Sequence, residues 1–174
     1  MSVPHTPSAV QLHPNSLYIL TSPLMHGAFH WSLVHTDAYG RGTRHHWAPS
    51  STSSRSERYV EQDFRGPSDA GVVIALFRLT SYVPLDLQSL RLLCAAVFPS
   101  SFATAEQNRA HGLNCRTWIA RLLGRLREAG HLQRTADALG QMETKIHARS
   151  ATCELEYLNA FMFQRVYHPA VENV

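Results

Sequence analysis

Apolar and polar residues alternate along the first half of the chain and recur at helical spacing along the second. "SLYILTSP" (16–23) is rich in β-branched and aromatic residues and ends at Pro23, which predicts a strand. "HWSLVHT" (30–36) alternates with period two and predicts another. "TRHHWA" (43–48) predicts the returning strand, and "DAYGRG" (37–42) supplies the turn residues between them. "PSSTSSRS" (49–56) reads as a polar loop, a candidate flap. "RYVEQDF" (58–64) alternates again, "GPSD" (66–69) turns the chain, and "AGVVIALFRLTSY" (70–82) is apolar enough to predict a central strand.

The period then changes. Leu87, Leu90, Leu93, Ala96 and Val97 stand at helical spacing between Pro84 and Pro99. "PSSFATAEQNRAHGLN" (99–114) reads as a loop with one helical turn. "CRTWIARLLGRLREAG" (115–130) is an amphipathic helix with Ile119, Leu122, Leu123 and Leu126 on one stripe and Gly130 as its C-terminal stop. The rest reads as helical, broken near Ser150 to Thr152. Strands first and helices afterwards predict an α+β fold with segregated layers: an antiparallel sheet of about four to five strands, then three to four helices. Residues 1–16 are polar and proline-bearing, a loose lead-in, and 17–174 form one domain.

Composition narrows the class. Hydrophobic residues make up 44% and charged residues 17% of 174, the proportions of an ordinary globular protein. The formal charge is +3, and every basic residue except Lys145 is arginine. Six arginines lie between Arg109 and Arg134 against one acid, Glu128; they read as a solvated helix face, not a nucleic-acid surface. Cys94, Cys115 and Cys153 are too sparse and odd in number for a disulfide framework, which predicts a reducing, cytoplasmic setting. No secretory signal is visible and no apolar run is long enough to span a bilayer.

Chemistry concentrates in two places. Residues 29–50 hold four histidines, His30, His35, His45 and His46, beside Trp31 and Trp47. Cys115 stands at the start of the strong helix, where free N–H groups and the helix dipole stabilise a thiolate and can also hold an oxyanion. On a strand His30, Ser32 and Val34 share one face, and His45 and His46 point to opposite faces, so one of the latter can stand beside His30. His35, His26, His13 and His5 read as loop or surface residues, and Cys94 and Cys153 as core and helix residues.

A histidine strand "HWSLV", a second histidine in "HWAP" and "NCRTW" opening a helix resemble the circularly permuted papain-like proteins of the NlpC/P60 superfamily. The closest likeness is to the lecithin:retinol acyltransferase / H-rev107-like group, with the PPPDE isopeptidases as cousins. The likeness spans roughly residues 17 to 130. The helix motif reads "RTW" after the cysteine where that group has "EHF", and the group's C-terminal membrane helix has no counterpart. The resemblance implies a permuted papain-like fold with Cys115 as nucleophile, His30 as general base and His46 as its orienting partner. It also suggests Tyr18 as an oxyanion donor; Trp31 reads as a wall of the cleft.

The function this implies is a thiol-dependent hydrolase or acyltransferase. It would act on an ester, thioester or amide of a small molecule, lipid or peptide, without a cofactor. A cysteine–histidine pair of this kind depresses a thiol pKa to ~4–7 from about 8.5. Two other readings stand beside it: a His₂Cys zinc site of His30, His46 and Cys115, which has no supporting ligand spacing, and a non-catalytic binding or scaffold protein on the same fold.

Overall fold

The computed structural model describes residues 10–49 and 55–174. Most of the polar loop read as a flap, and His5 with the first residues of the lead-in, lie outside the described residues. The chain forms six strands, β1 (Leu17–Pro23), β2 (Phe29–Thr36), β3 (Gly42–Pro49), β4 (Glu57–Phe64), β5 (Ala75–Arg78) and β6 (Ala170–Asn173). Four helices accompany them, α1 (Leu87–Ala96), α2 (Ala105–Ala110), α3 (Cys115–Glu128) and α4 (Ala136–Met162). The sheet order is β4-β3-β2-β1-β5-β6. All neighbours are antiparallel except β5 and β6, which are parallel, so the fold is α+β with a mixed sheet.

Four expectations change. The sheet has six strands rather than four or five and is mixed rather than antiparallel, because the C-terminal "AVEN" returns to pair parallel with β5. Strand β5 is next to that edge; β2 and β1 are the central strands. Helix α4 runs unbroken through Ser150 to Thr152. Serine and threonine compete with helix backbone when they bond locally. Here the buried Ser150 hydroxyl instead bonds Thr21 across to the sheet at 2.9 Å. The lead-in is also not loose throughout: Val10 and Leu12 pack on the sheet, and the Thr36 hydroxyl donates to the His13 carbonyl at 2.7 Å.

The sheet is covered on both sides. One face carries Leu17, Ile19, Trp31, Leu33, Trp47 and Phe77, packed against Leu90 of α1, Trp118, Ile119 and Leu122 of α3, and Ile146 of α4. The other carries Tyr18, Leu20, Val34 and Leu76 under Phe64, Val73, Val10 and Leu12. Helix α3 is the element that matters for the site, because it lies across β2 and β3.

Gly42 closes the β2–β3 hairpin against the end of β4. A Cβ there would stand 2.6 Å from the Phe64 carbonyl oxygen, a contact the backbone must move to relieve. Gly42→Ala is therefore expected to cost about 1–3 kcal/mol, the range for overpacking, and to lower Tm. An unchanged Tm would show that the hairpin is not held this tightly.

Candidate functional site

Cys115 is placed by its N-cap. Asn114 accepts the Thr117 N–H at 3.0 Å and Thr117 returns a bond to the Asn114 N–H at 3.1 Å, a capping box that fixes the first turn. The first intrahelical bond runs from Trp118 N–H to the Asn114 carbonyl. Cys115 is thus the first residue of α3, and the N–H groups of Cys115 and Arg116 are not used by the helix.

The sulfur lies at a gap in the sheet. The pairing of β2 with β3 runs from Thr36↔Gly42 to Leu33↔His45 and stops. Beyond it β2 stays with β1 and β3 stays with β4. Even-numbered residues of β2 bond toward β1, as the bond from Thr36 N–H to Ser16 O shows, so the main-chain groups of Phe29 and Trp31 point into the gap. The Cys115 thiol fills it, donating to the Phe29 carbonyl at 3.9 Å.

Across the same gap the histidines meet. His30 Nε2 lies 2.8 Å from His46 Nδ1, with the rings edge-on at 5.1 Å. His45 points to the opposite face, toward α3. Its Nδ1 bonds the Tyr59 hydroxyl at 2.8 Å, Tyr59 donates to Glu61 at 3.2 Å, and Glu61 is held by Arg91. Arg44 shares the His30–His46 face and donates to Ser32 at 3.0 Å. Among the described residues no hydrogen bond joins Cys115 to His30. The thiol touches the backbone flanking His30, but the His30 side chain shares the face of Val34 and Arg44, away from α3, and is engaged there with His46; the expected approach of the His30 ring to the Cys115 sulfur is not seen. Nor do three His, Cys, Asp or Glu side chains converge as metal ligands among the described residues, so His30, His46 and Cys115 are not gathered into a zinc site.

The other predicted residues divide. Trp31 is 1% exposed; its main-chain N–H favours the Cys115 thiolate, and its indole packs under α3. Tyr18 is not at the site. It pairs with Val34, whereas His30 pairs with Ser22, four residues along β1, or about 13 Å at ~3.3 Å per residue. It shares the sheet face of His30 and His46 but lies at the far end of it, and its hydroxyl, fully buried, accepts the His13 N–H at 2.8 Å. His35, read as a surface residue, is buried at the far end of β2. Cys94 and Cys153 are fully buried. Sequence reasoning missed Glu57, which is buried near the thiol and paired with Arg109 at 3.6 Å, and Arg44. The N-x-x-T spacing of Asn114 and Thr117 was the one readable signal for the cap.

Electrostatics set the resting protonation. Burial, then the Arg44 charge, lower His30 to about 4. The same causes, with its histidine neighbours, lower His46 to about 3. Burial lowers His45 to about 4 against the pull of Glu61. All three are neutral at pH 7. The thiol runs against the expectation of a depressed pKa. Burial pushes Cys115 up and the Glu57 charge adds to this, while the N–H groups of Trp31, Arg116 and Cys115 pull it down without prevailing. The resting state is therefore thiol and neutral imidazole, not an ion pair.

No protein-family model, curated protein or solved structure matches the chain.

The lowered histidines make stability depend on pH. Between their folded values and about 6.5, the unfolded chain binds protons that the native chain does not, so stability is present above pH 6.5 and falls as pH falls. Each group adds a slope of up to about 1.4 kcal/mol per pH unit. Thermal melts from pH 7 to pH 4.5 should show Tm falling, and His46→Gln should flatten the slope. Parallel curves for the two proteins would contradict the buried neutral state of His46.

Proposed function

We propose that the protein is a thiol-dependent hydrolase or acyltransferase of the circularly permuted papain-like type, with Cys115 as nucleophile, His30 as base and His46 as the residue that orients it. The observation that carries this reading is the gap between β2 and β3. A helix-initial thiol rests against the main chain on either side of His30, while His30 is bonded at 2.8 Å to a second histidine from the parted strand. A merely structural cysteine needs neither the free amides nor the paired imidazoles.

The chemistry follows from these groups. With His30 Nε2–H donating to His46 Nδ1, His30 Nδ1 is left unprotonated and able to accept a proton. Cys115 Sγ attacks an ester, thioester or amide carbonyl as its proton passes to His30. The carbonyl oxygen becomes an oxyanion beside the unused N–H groups of Cys115 and Arg116. Collapse expels the alcohol, thiol or amine, which takes the proton from His30, and leaves the acyl group on sulfur. Water or an acceptor amine or alcohol then attacks the thioester, with His30 again as base, and the thiol is restored. Substrates are acyl-bearing small molecules, lipids or peptides. No helix among the described residues is long and apolar enough to cross a membrane.

A second reading, a non-catalytic binding protein on the same fold, is favoured by the raised Cys115 thiol and the lack of a Cys115–His30 bond. Stoichiometric carbamidomethylation of Cys115 by iodoacetamide at pH 7.5, ahead of the buried Cys94 and Cys153, separates the two.

With p-nitrophenyl esters as reporter substrates, Cys115→Ser should fold normally and lose turnover. His30→Ala should lower kcat/KM by about 10²–10⁴, the range for general-base catalysis. Because His30 is lowered to about 4, activity should persist well below pH 6.5 and fade only as pH approaches about 4. Arg44→Met, by removing a charge that holds His30 down, should move this acid limb upward. Turnover retained in Cys115→Ser would end the covalent mechanism, and an acid limb near 6.5 in the unmodified protein would contradict the lowered base.

A further inference from the structure

Helices α3 and α4 lie side by side in opposite directions, joined by the short segment 129–135 and by the Arg116–Glu143 ion pair. They do not close on each other. Between them is a cavity of about 260 Å³, floored by Ile19 and Trp31 and walled by Ile119, Leu123, Leu139 and Met142. Arg116 and Glu143, the ion-paired residues, also line it.

Two further residues lining this cavity are Gly124 and Gly140, one from each helix interior. Glycine costs helix stability relative to alanine. Neither residue has positive φ, and a Cβ at either would meet no atom within 4 Å. Neither backbone strain nor close helix approach calls for glycine there. What the two glycines have in common is that both line the cavity.

Two of the lining residues, Trp31 and Arg116, are also neighbours of Cys115. Trp31 contributes its indole to the floor and its main-chain N–H to the Cys115 sulfur, and Arg116 follows Cys115 in the chain. We propose that this cavity receives an apolar arm of the substrate whose carbonyl Cys115 attacks, a hydrocarbon group larger than a benzene ring. The inference rests on the reading of Cys115 as nucleophile. The size follows from volume: an apolar cavity of about 150 Å³ accommodates benzene, and this one is 260 Å³. Arg116, Arg127 and Glu143 stand among the lining residues, and the remaining ones are apolar or glycine, so burial of hydrocarbon is the main attraction the cavity offers.

The test compares alkylation of Cys115 by 2-chloroacetamide and by N-octyl-2-chloroacetamide, followed by intact mass. In the unmodified protein the octyl reagent should react about tenfold faster or more, the gain from burying only two or three methylene groups. In Gly124→Leu and in Gly140→Leu that advantage should vanish while the rate with 2-chloroacetamide is unchanged, and Tm should not fall. No octyl advantage in the unmodified protein, or an advantage surviving in both variants, overturns the proposal. If Cys115 reacts with neither reagent, the nucleophile reading fails and the cavity is read separately. Octan-1-ol should then perturb the amide resonances of α3 and α4 in Cys115→Ser and should not do so once Gly124→Leu is added. Perturbation that persists in the double variant, or that never occurs, overturns the cavity assignment as well.

Discussion

Beyond Leu33↔His45, strand β3 leaves β2 and follows β4, and everything at the site depends on that parting. A continuous ladder would have tied up the main-chain groups of Phe29 and Trp31. The gap leaves them to the Cys115 thiol, and it lets His30 on one strand meet His46 on the other. Unpaired backbone groups in a buried sheet are costly. Here α3 packs against β2 and β3, and the thiol meets the carbonyl of Phe29 at 3.9 Å.

The two faces of the sheet then divide the labour. Adjacent histidines on β3 point opposite ways: His46 joins the site, and His45 joins the Tyr59–Glu61–Arg91 chain beneath α1 and α3. The ring of Tyr59 stacks between His45 and Trp118, which links the β3–β4 pair to the helix carrying Cys115. Support for α3 therefore comes from below through packed aromatics and from its own capping box at the start. The same helix gives its apolar stripe to the core and leaves Gly124 facing the cavity beside α4.

Much of this was legible in the chain. Period-two alternation with "DAYGRG" between the runs specified the β2–β3 hairpin, and strand parity separated His45 from His46. The stripe Ile119–Leu122–Leu123–Leu126 specified α3, and its first residue was Cys115. What was hidden required tertiary knowledge. Strand β6 is only four residues long, and its "AVEN" lacks an alternating apolar face. The continuity of α4 depends on a partner for Ser150 that stands on β1. The raised thiol depends on how deeply α3 buries it and on Glu57, which is remote in sequence. The cavity arises only when two helices that each carry an interior glycine are laid together.

The central claim is that His30 is a neutral base whose free nitrogen is Nδ1, oriented by His46. Long-range ¹H–¹⁵N correlation spectra of the histidine rings, recorded from pH 7.5 to pH 4.5, test it directly. The account predicts His30 in the Nε2–H form at pH 7.5, with Nδ1 unprotonated, and still neutral at pH 5.5 because burial and Arg44 hold it near 4. A His30 ring that carries its proton on Nδ1, or that becomes an imidazolium near pH 6.5, would contradict the claim.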